Sequence, residues 1–583
     1  MSLVVPLLML AGGALAQNAS YFATSHINAT TTASNGSTVA NIDAYTTALN
    51  MNLDDIWNIF VGPVTPAAIT TTVEATPVPS HSLIPPPFIH FPAFPPGREV
   101  PLSTKNESWS FPKDFFFGVA GAAFQVEGAA KAEGKGPSIW DLLPHRATNY
   151  VLNNVTGDVT DNHYYLYKQD IARIAAMGMK HYSFSIAWTR ILPFGKGPVN
   201  QLGIDHYNDV IDTCLHYNMT PMATLYHWDL PLLLQNEYGG WLSEQIVDDF
   251  VTYARIAYSS FGDRVKDWFT INEPIEACSE YPYPTDYFKN YTIAGEHQKF
   301  VCGKNILLAH AKAYRLGKEL VPNSNIAFKN NGGGKIPATN SSADLNATAR
   351  AWDFMEGWFA DPVFLNGDFN AAVRQYTDDF LPPFTAEERA LINGSADFFA
   401  QDAYTSSVYF APDDGVEGCL ANVSNPLYPS CYNTSQYYSP SAGGWAIGPA
   451  ADPLASWLSN AADWVPEFMR DIMRRWNPAG GIAISEMGFA EPYENSKQDL
   501  PSILYDTIRT DYYKKFMEAL LISISEGIHI RGVMSWSFVD NFEWFSGTSV
   551  RFGLQYVNYT TQERHYKASF FEYVNQYYTY LEQ

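Results

Sequence analysis

Cysteine is scarce in this chain, with five in 583 residues. That is too few for a disulfide-built scaffold, and no Cys/His cluster has metal-ligand spacing, so no metal or other cofactor is expected. Basic residues are outnumbered, 36 Lys and Arg against 60 Asp and Glu, for a formal net charge of −24. Nucleic acids and anionic membranes both select a basic surface, so neither is an expected partner. Long apolar runs are missing as well. The run from Leu3 to Leu10 is too short to span a bilayer, and no second one follows.

What is present is a large apolar fraction, 46%, and an aromatic fraction of 15%. The first is ample for a sizeable core. The second exceeds what a plain core requires, and the flat faces of Trp and Tyr suit sugar rings as well as core packing. Residues 1–16 read as a signal peptide, with Ala14-Leu15-Ala16 forming a small-x-small cleavage pattern before Gln17. Thirteen Asn-x-Ser/Thr sequons, from Asn18 to Asn558, fit a secreted glycoprotein carrying N-glycans, extracellular or associated with a cell wall. Cys419 and Cys431 flank a Pro- and Asn-rich loop and are the preferred disulfide. Cys278 and Cys302 could bracket another, which leaves Cys214 as a buried thiol.

Composition divides the chain. Residues 17–105 are rich in Ser, Thr and Pro and are expected to form a poorly structured extension and linker. Within it, Leu53–Val61 is a short amphipathic piece that could dock. Residues 106–583 alternate short apolar strands with helical segments, the pattern of βα units around a parallel sheet. Eight strands can be read: Phe115–Ala122, His181–Ile186, Thr220–Leu225, Val265–Ile271, Asn325–Phe328, Asp397–Ala403, Gly481–Ser485 and Gly532–Trp536. The fold class is α/β, a (β/α)8 TIM barrel with the extension before it. No internal repeat is evident.

In such barrels the active site lies at the C-terminal ends of the strands. Here those ends carry Gln125, His227, Asn272, Glu273, Tyr404, Glu486, Trp536, Glu543 and Trp544. Carboxyls, amides, an imidazole and indoles on one rim are suited to gripping hydroxyls and cleaving an acetal. Breaking a glycosidic bond takes a proton for the leaving oxygen and support for an oxocarbenium-like centre, and two carboxyl groups supply both. Glu273 and Glu486 fall on the fourth and seventh strands, which can face each other across the mouth.

Several motifs strengthen this expectation. Phe115 to Gly128 (FFFGVAGAAFQVEG) is followed by Gly136-Pro137-Ser138-Ile139-Trp140-Asp141, then by His227-Trp228-Asp229-Leu230-Pro231, Thr270-Ile271-Asn272-Glu273-Pro274 and Trp536 to Trp544 (WSFVDNFEW). Together they resemble the family 1 glycoside hydrolases, in family order from about Phe111 to Tyr573. The resemblance implies a retaining β-glucosidase acting on terminal non-reducing β-D-glucosyl residues of oligosaccharides and small β-glucosides, cellobiose among them. It makes Glu273 the acid/base and Glu486 the nucleophile. It has Gln125, His227, Asn272, Glu543 and Trp544 holding the sugar, Trp536 as the stacking floor, and Tyr404 orienting the nucleophile. The sequence departs from that pattern at Ser183, where an arginine normally contacts the nucleophile, and at Asp402 and Met487, where asparagines are usual. Losing the arginine is expected to remove a positive charge that favours the ionised carboxylate. No lysine stands at Val550, so a 6-phosphorylated sugar is not the expected substrate.

Overall fold

A computed structural model describes residues 52–88, 109–279, 295–439 and 444–582, with the backbone of 26–27 and 44–45. The predicted signal peptide and most of the Pro-rich run lie outside the described residues. Eight parallel strands close into a barrel: β1 (Phe116–Gly121), β2 (His181–Ser185), β3 (Thr220–Tyr226), β4 (Asp267–Asn272), β5 (Asn325–Asn331), β6 (Phe399–Asp402), β7 (Ile482–Met487) and β8 (Ile530–Trp536). Neighbours in sequence are neighbours in the sheet, and β8 closes on β1 with Gly532 opposite Phe116 and Trp536 opposite Ala120.

The strands are short and nearly all buried because both faces are covered. Every residue of β4 and β7 is buried. Outside them lie α1 (His163–Ala176), α2 (Gln201–His216), α3 (Gln245–Phe261), α4 (Gly295–Leu320), α5 (Ser342–Phe354), α6 (Val465–Arg475), α7 (Thr507–Ser525) and α8 (Ala568–Tyr580), one after each strand. The last helix returns to the first strand. Tyr577 stacks on Phe117 at 3.9 Å, and the Tyr573 hydroxyl donates to the Gly118 and Val533 carbonyls, tying α8 to both strands of the closure.

Part of the N-terminal extension is packed on the barrel. Asn52 caps the turn Leu53–Ile56. Ile56, Trp57, Phe60 and Val61 are then buried, and the Trp57 indole donates to the Lys135 carbonyl at 2.9 Å. Arg146 donates to the carbonyls of Ile59 and Phe60. Further along, Val73 pairs with the Tyr165 carbonyl and Tyr505 donates to the Pro87 carbonyl. The amphipathic piece Leu53–Val61 docks as its pattern suggested, its four apolar side chains at helical spacing anchoring it, and the polar residues after it are carried along. The chain pairs Cys278 with Cys302 and Cys419 with Cys431, and Cys214 is a buried free thiol. Among the described residues no helix is long and apolar enough to cross a membrane.

Candidate active site

Glu273 follows the last residue of β4 in a left-handed backbone conformation, φ +41°. A non-glycine residue pays for that region unless its surroundings fix it. Here Pro274 disfavours the right-handed alternative for the residue before it. The Glu273 amide donates to the Lys329 carbonyl on β5, and its own carbonyl accepts from the Ala277 amide. Glu486 stands on β7, its side chain 4% exposed. The next glycine, Gly488, is dictated by space, since a Cβ there would lie 2.0 Å from the Trp536 carbonyl oxygen. The ends of β7 and β8 therefore approach closely, and Glu486 and Trp536 share one wall.

The structure brings Glu273 and Glu486 together. Carboxyl oxygens of Glu273, Glu486 and Asp402 all lie within 4.8 Å of one another. Tyr404 donates to Glu486 Oε2 at 2.8 Å, and Lys329 Nζ donates to Oε1 at 2.8 Å. Lys329 corrects the sequence expectation about charge. Ser183 does stand on β2 where an arginine was expected, but the positive charge is resupplied from β5. The strand runs on to Asn331, past the predicted end at Phe328, so Lys329 enters the rim. A lysine directly after the apolar run Ile326–Phe328 was the available signal.

The remaining predicted residues converge on the same rim. Gln125 donates to the Phe542 carbonyl and to Asn541 Oδ1, and its buried Oε1 meets no partner among the described residues. Asn272 donates to His227 Nε2 at 3.3 Å, and its Oδ1 is likewise unsatisfied. Buried acceptors without donors are costly in a folded chain; hydroxyl groups of a sugar would satisfy both. The His227 ring lies nearly parallel to Trp536 at 5.5 Å and to Trp544 at 6.0 Å. The Trp536 indole is 3.5 Å from Glu543 Oε2. Trp544 packs on Trp140, whose helix is started by the Ser138/Asp141 capping box. Glu127 pairs with Arg190 and Tyr207, and Glu491 accepts from the Arg509 amide, so both are structural. Glu276 accepts from Asn331 beside the site.

Burial sets the protonation pattern. It raises Glu273 well above the usual carboxylate range, helped by the neighbouring Asp402 and Glu486 and opposed by Lys329. Burial and Glu486 raise Asp402 in the same way. Burial pushes Glu543 up to about 8 and His227 well below its usual value, so the imidazole is neutral. Burial opposes the Lys329 charge, but Glu486 and Asp402 more than offset it and its pKa is raised.

Residues 107–579 match the family model "Glycosyl hydrolase family 1". The chain is 36% identical over 481 residues to beta-glucosidase 1B of Phanerodontia chrysosporium, covering 79% of this chain and 84% of that protein. It superposes on the crystal structure of the beta-glucosidase from Trichoderma harzianum with a TM-score of 0.74 at 33% identity, over 82% of this chain and 99% of that one. A rice beta-glucosidase mutant solved in a covalent complex with Glc gives a TM-score of 0.73 at 34% identity, over 82% of this chain and 100% of that one. With the closed barrel, the two rim carboxyls and a family match over most of its length, the chain belongs to glycosyl hydrolase family 1.

Proposed function

We propose that this glycoside hydrolase is a retaining β-glucosidase that releases terminal β-D-glucosyl residues from short oligosaccharides and small β-glucosides. The separation of the two carboxyls carries the proposal. Oxygens of Glu273 and Glu486 within 4.8 Å are closer than the roughly 6.5–9.5 Å of an inverting site, which must hold a water between its carboxyls, and agree with the tighter pair of a double-displacement site.

In the first step Glu486 attacks the anomeric carbon while Glu273 gives its proton to the departing oxygen. The raised Glu273 holds that proton at mildly acidic and neutral pH, and Lys329 and Tyr404 aim the Glu486 oxygens. In the second step Glu273, now a carboxylate, takes a proton from water, the water oxygen bonds to the anomeric carbon, and Glu486 leaves. Gln125, His227, Asn272 and Glu543 would grip the hydroxyls, Trp536 would lie under the ring, and Trp544 would flank it. The bonds to the hydroxyl next to the reacting carbon strengthen in the transition state. Secretion with N-glycans fits the leader pattern and the sequons, of which Asn154, Asn218, Asn340, Asn346, Asn393 and Asn422 are exposed.

The test is initial-rate hydrolysis of a panel of nitrophenyl β-glycosides by wild type, Glu273→Gln and Glu486→Gln, with NMR of the first sugar anomer released. Release of β-glucose by wild type, lost in Glu486→Gln and reduced roughly 10²–10⁴-fold in Glu273→Gln, is expected. First release of the α-anomer, or no turnover of any β-glycoside by folded protein, would sink the reading.

A further inference from the structure

The catalytic pair is part of a larger charge cluster. Glu273, Asp402 and Glu486 are all buried, and the cation paired with them among the described residues is Lys329. Three carboxylates and one ammonium would leave two uncompensated negative charges. Unpaired buried charge costs several kcal/mol per ion, and such groups neutralise instead. Lys329 and the Tyr404 hydroxyl both point at Glu486, so that carboxylate takes the balancing charge and the other two carboxyls are left to carry protons.

Asp402 shows a second sign of this. Its Oδ1 accepts from the Ser485 hydroxyl at 2.6 Å. Its Oδ2 is buried and meets no donor among the described residues, while carboxyl oxygens of Asp402 and Glu273 lie within 4.8 Å of each other. A carboxylate oxygen in that position would be unsatisfied, and two ionised carboxylates cannot bond to each other. A protonated carboxyl has both a donor and an acceptor, as an amide does.

We infer that Asp402 is protonated in the resting enzyme and acts as a positioning residue for Glu273, so that the site works with two protons on three carboxyls. The consequence for turnover rests on the retaining mechanism proposed above. When the Glu486 oxygen bonds to the anomeric carbon, the glycosidic bond breaks and the Glu273 proton leaves with the aglycone. Glu486 is then a neutral ester, Glu273 is the anion facing Lys329, and neutral Asp402 donates to it. Water then returns a proton to Glu273 and restores Glu486. The Asp402 proton is never consumed and the net charge never changes. With Asp402 ionised, two adjacent anions would face one lysine in the intermediate. The other titratable groups facing the cluster are Glu276 beside Glu273, Tyr404 and Glu543 beside Glu486, and neutral His227 beside Lys329. None adds a cation. Burial and the neighbouring carboxyls raise both Glu273 and Asp402, in keeping with two held protons.

The test is the pH dependence of kcat/KM on nitrophenyl β-glucoside for wild type and Asp402→Asn, together with infrared difference spectra of the two resting proteins near neutral pH. The wild-type alkaline limb should steepen from loss of one proton to loss of two. In Asp402→Asn it should stay a one-proton limb, with the acidic plateau kept within about tenfold, the effect of one pKa unit. The wild-type spectrum should contain a protonated-carboxyl C=O band missing from the variant. A one-proton limb in wild type, absence of that band, or a limb displaced to acid by more than about one pH unit in Asp402→Asn would overturn the inference. The wild-type limb and spectrum serve even if the variant does not fold. A wild type that shows the band but turns over no β-glycoside would defeat the glucosidase reading and leave the Asp402 proton standing.

Discussion

Lys329 and Glu486 show how a single side chain can change place without changing the task. Both are almost fully buried, 2% and 4% exposed, so cutting the pair leaves an unpaired charge. Lys329→Met is expected to cost about 3–5 kcal/mol of stability and to lower kcat on nitrophenyl β-glucoside, with Lys329→Arg retaining more of both. Denaturant unfolding beside steady-state rates would check this. Gln125→Ala should raise KM and lower kcat/KM about 10–100-fold, the effect of one hydrogen bond to a hydroxyl. Glu273 was legible from sequence because its strand-end motif is one of several in family order that fall on a single rim, where Asn-Glu-Pro alone would have read as an ordinary loop. Lys329 was not, because the strand was ended at Phe328, where the apolar run stops. Burial on both faces of a barrel strand lets it continue through a lysine once that lysine has a carboxylate to meet.

Elements beyond the strands hold the rim in place. The loop after β8 that carries Glu543 and Trp544 is braced by a buried ion network. Asp540 takes Arg551 and Lys567, and Arg509 joins Asp506 and Glu494. The sequence marked the loop through its aromatic motif but not the network, whose members lie far apart in the chain. Helices were legible where apolar spacing was regular: residues 245–261 read as a helix from the sequence, and α3 spans Gln245–Phe261. α2 contains Gly203 and a scatter of polar residues, and α8 is crowded with Tyr and Phe that also suit strands, so neither stood out. The docked stretch at 52–88 turns on Trp57, which has no exposure. Trp57→Ala should destabilise the protein by about 3–5 kcal/mol while leaving KM for a small glucoside unchanged, as thermal unfolding and kinetics would show.

At the scale of the whole molecule, several buried carboxyls hold at neutral pH protons that the unfolded chain would release. Burial raises Asp229 and Glu491 to about 7 and Glu543 to about 8. Their contribution to stability is complete below the unfolded carboxylate values and is lost as pH rises through those raised ones. Asp170 behaves oppositely. Burial alone would raise it, but Arg564 and His163 hold it at about 2, so its contribution is lost as pH falls toward that value. The melting temperature should therefore peak near about pH 5 and decline on both sides; a melting curve that rose from pH 5 to 8 would contradict it. The overall α/β architecture was plain from alternation alone, whereas the pairing of β8 with β1 follows only once eight strands are counted. That closure also has a temporal side. A chain emerging from the ribosome presents β1 first and β8 almost last, and Gln125 cannot meet Phe542 until nearly the whole polypeptide is out. Synthesis therefore ends before any sugar pocket exists, so that an unfinished chain is a catalytically silent one.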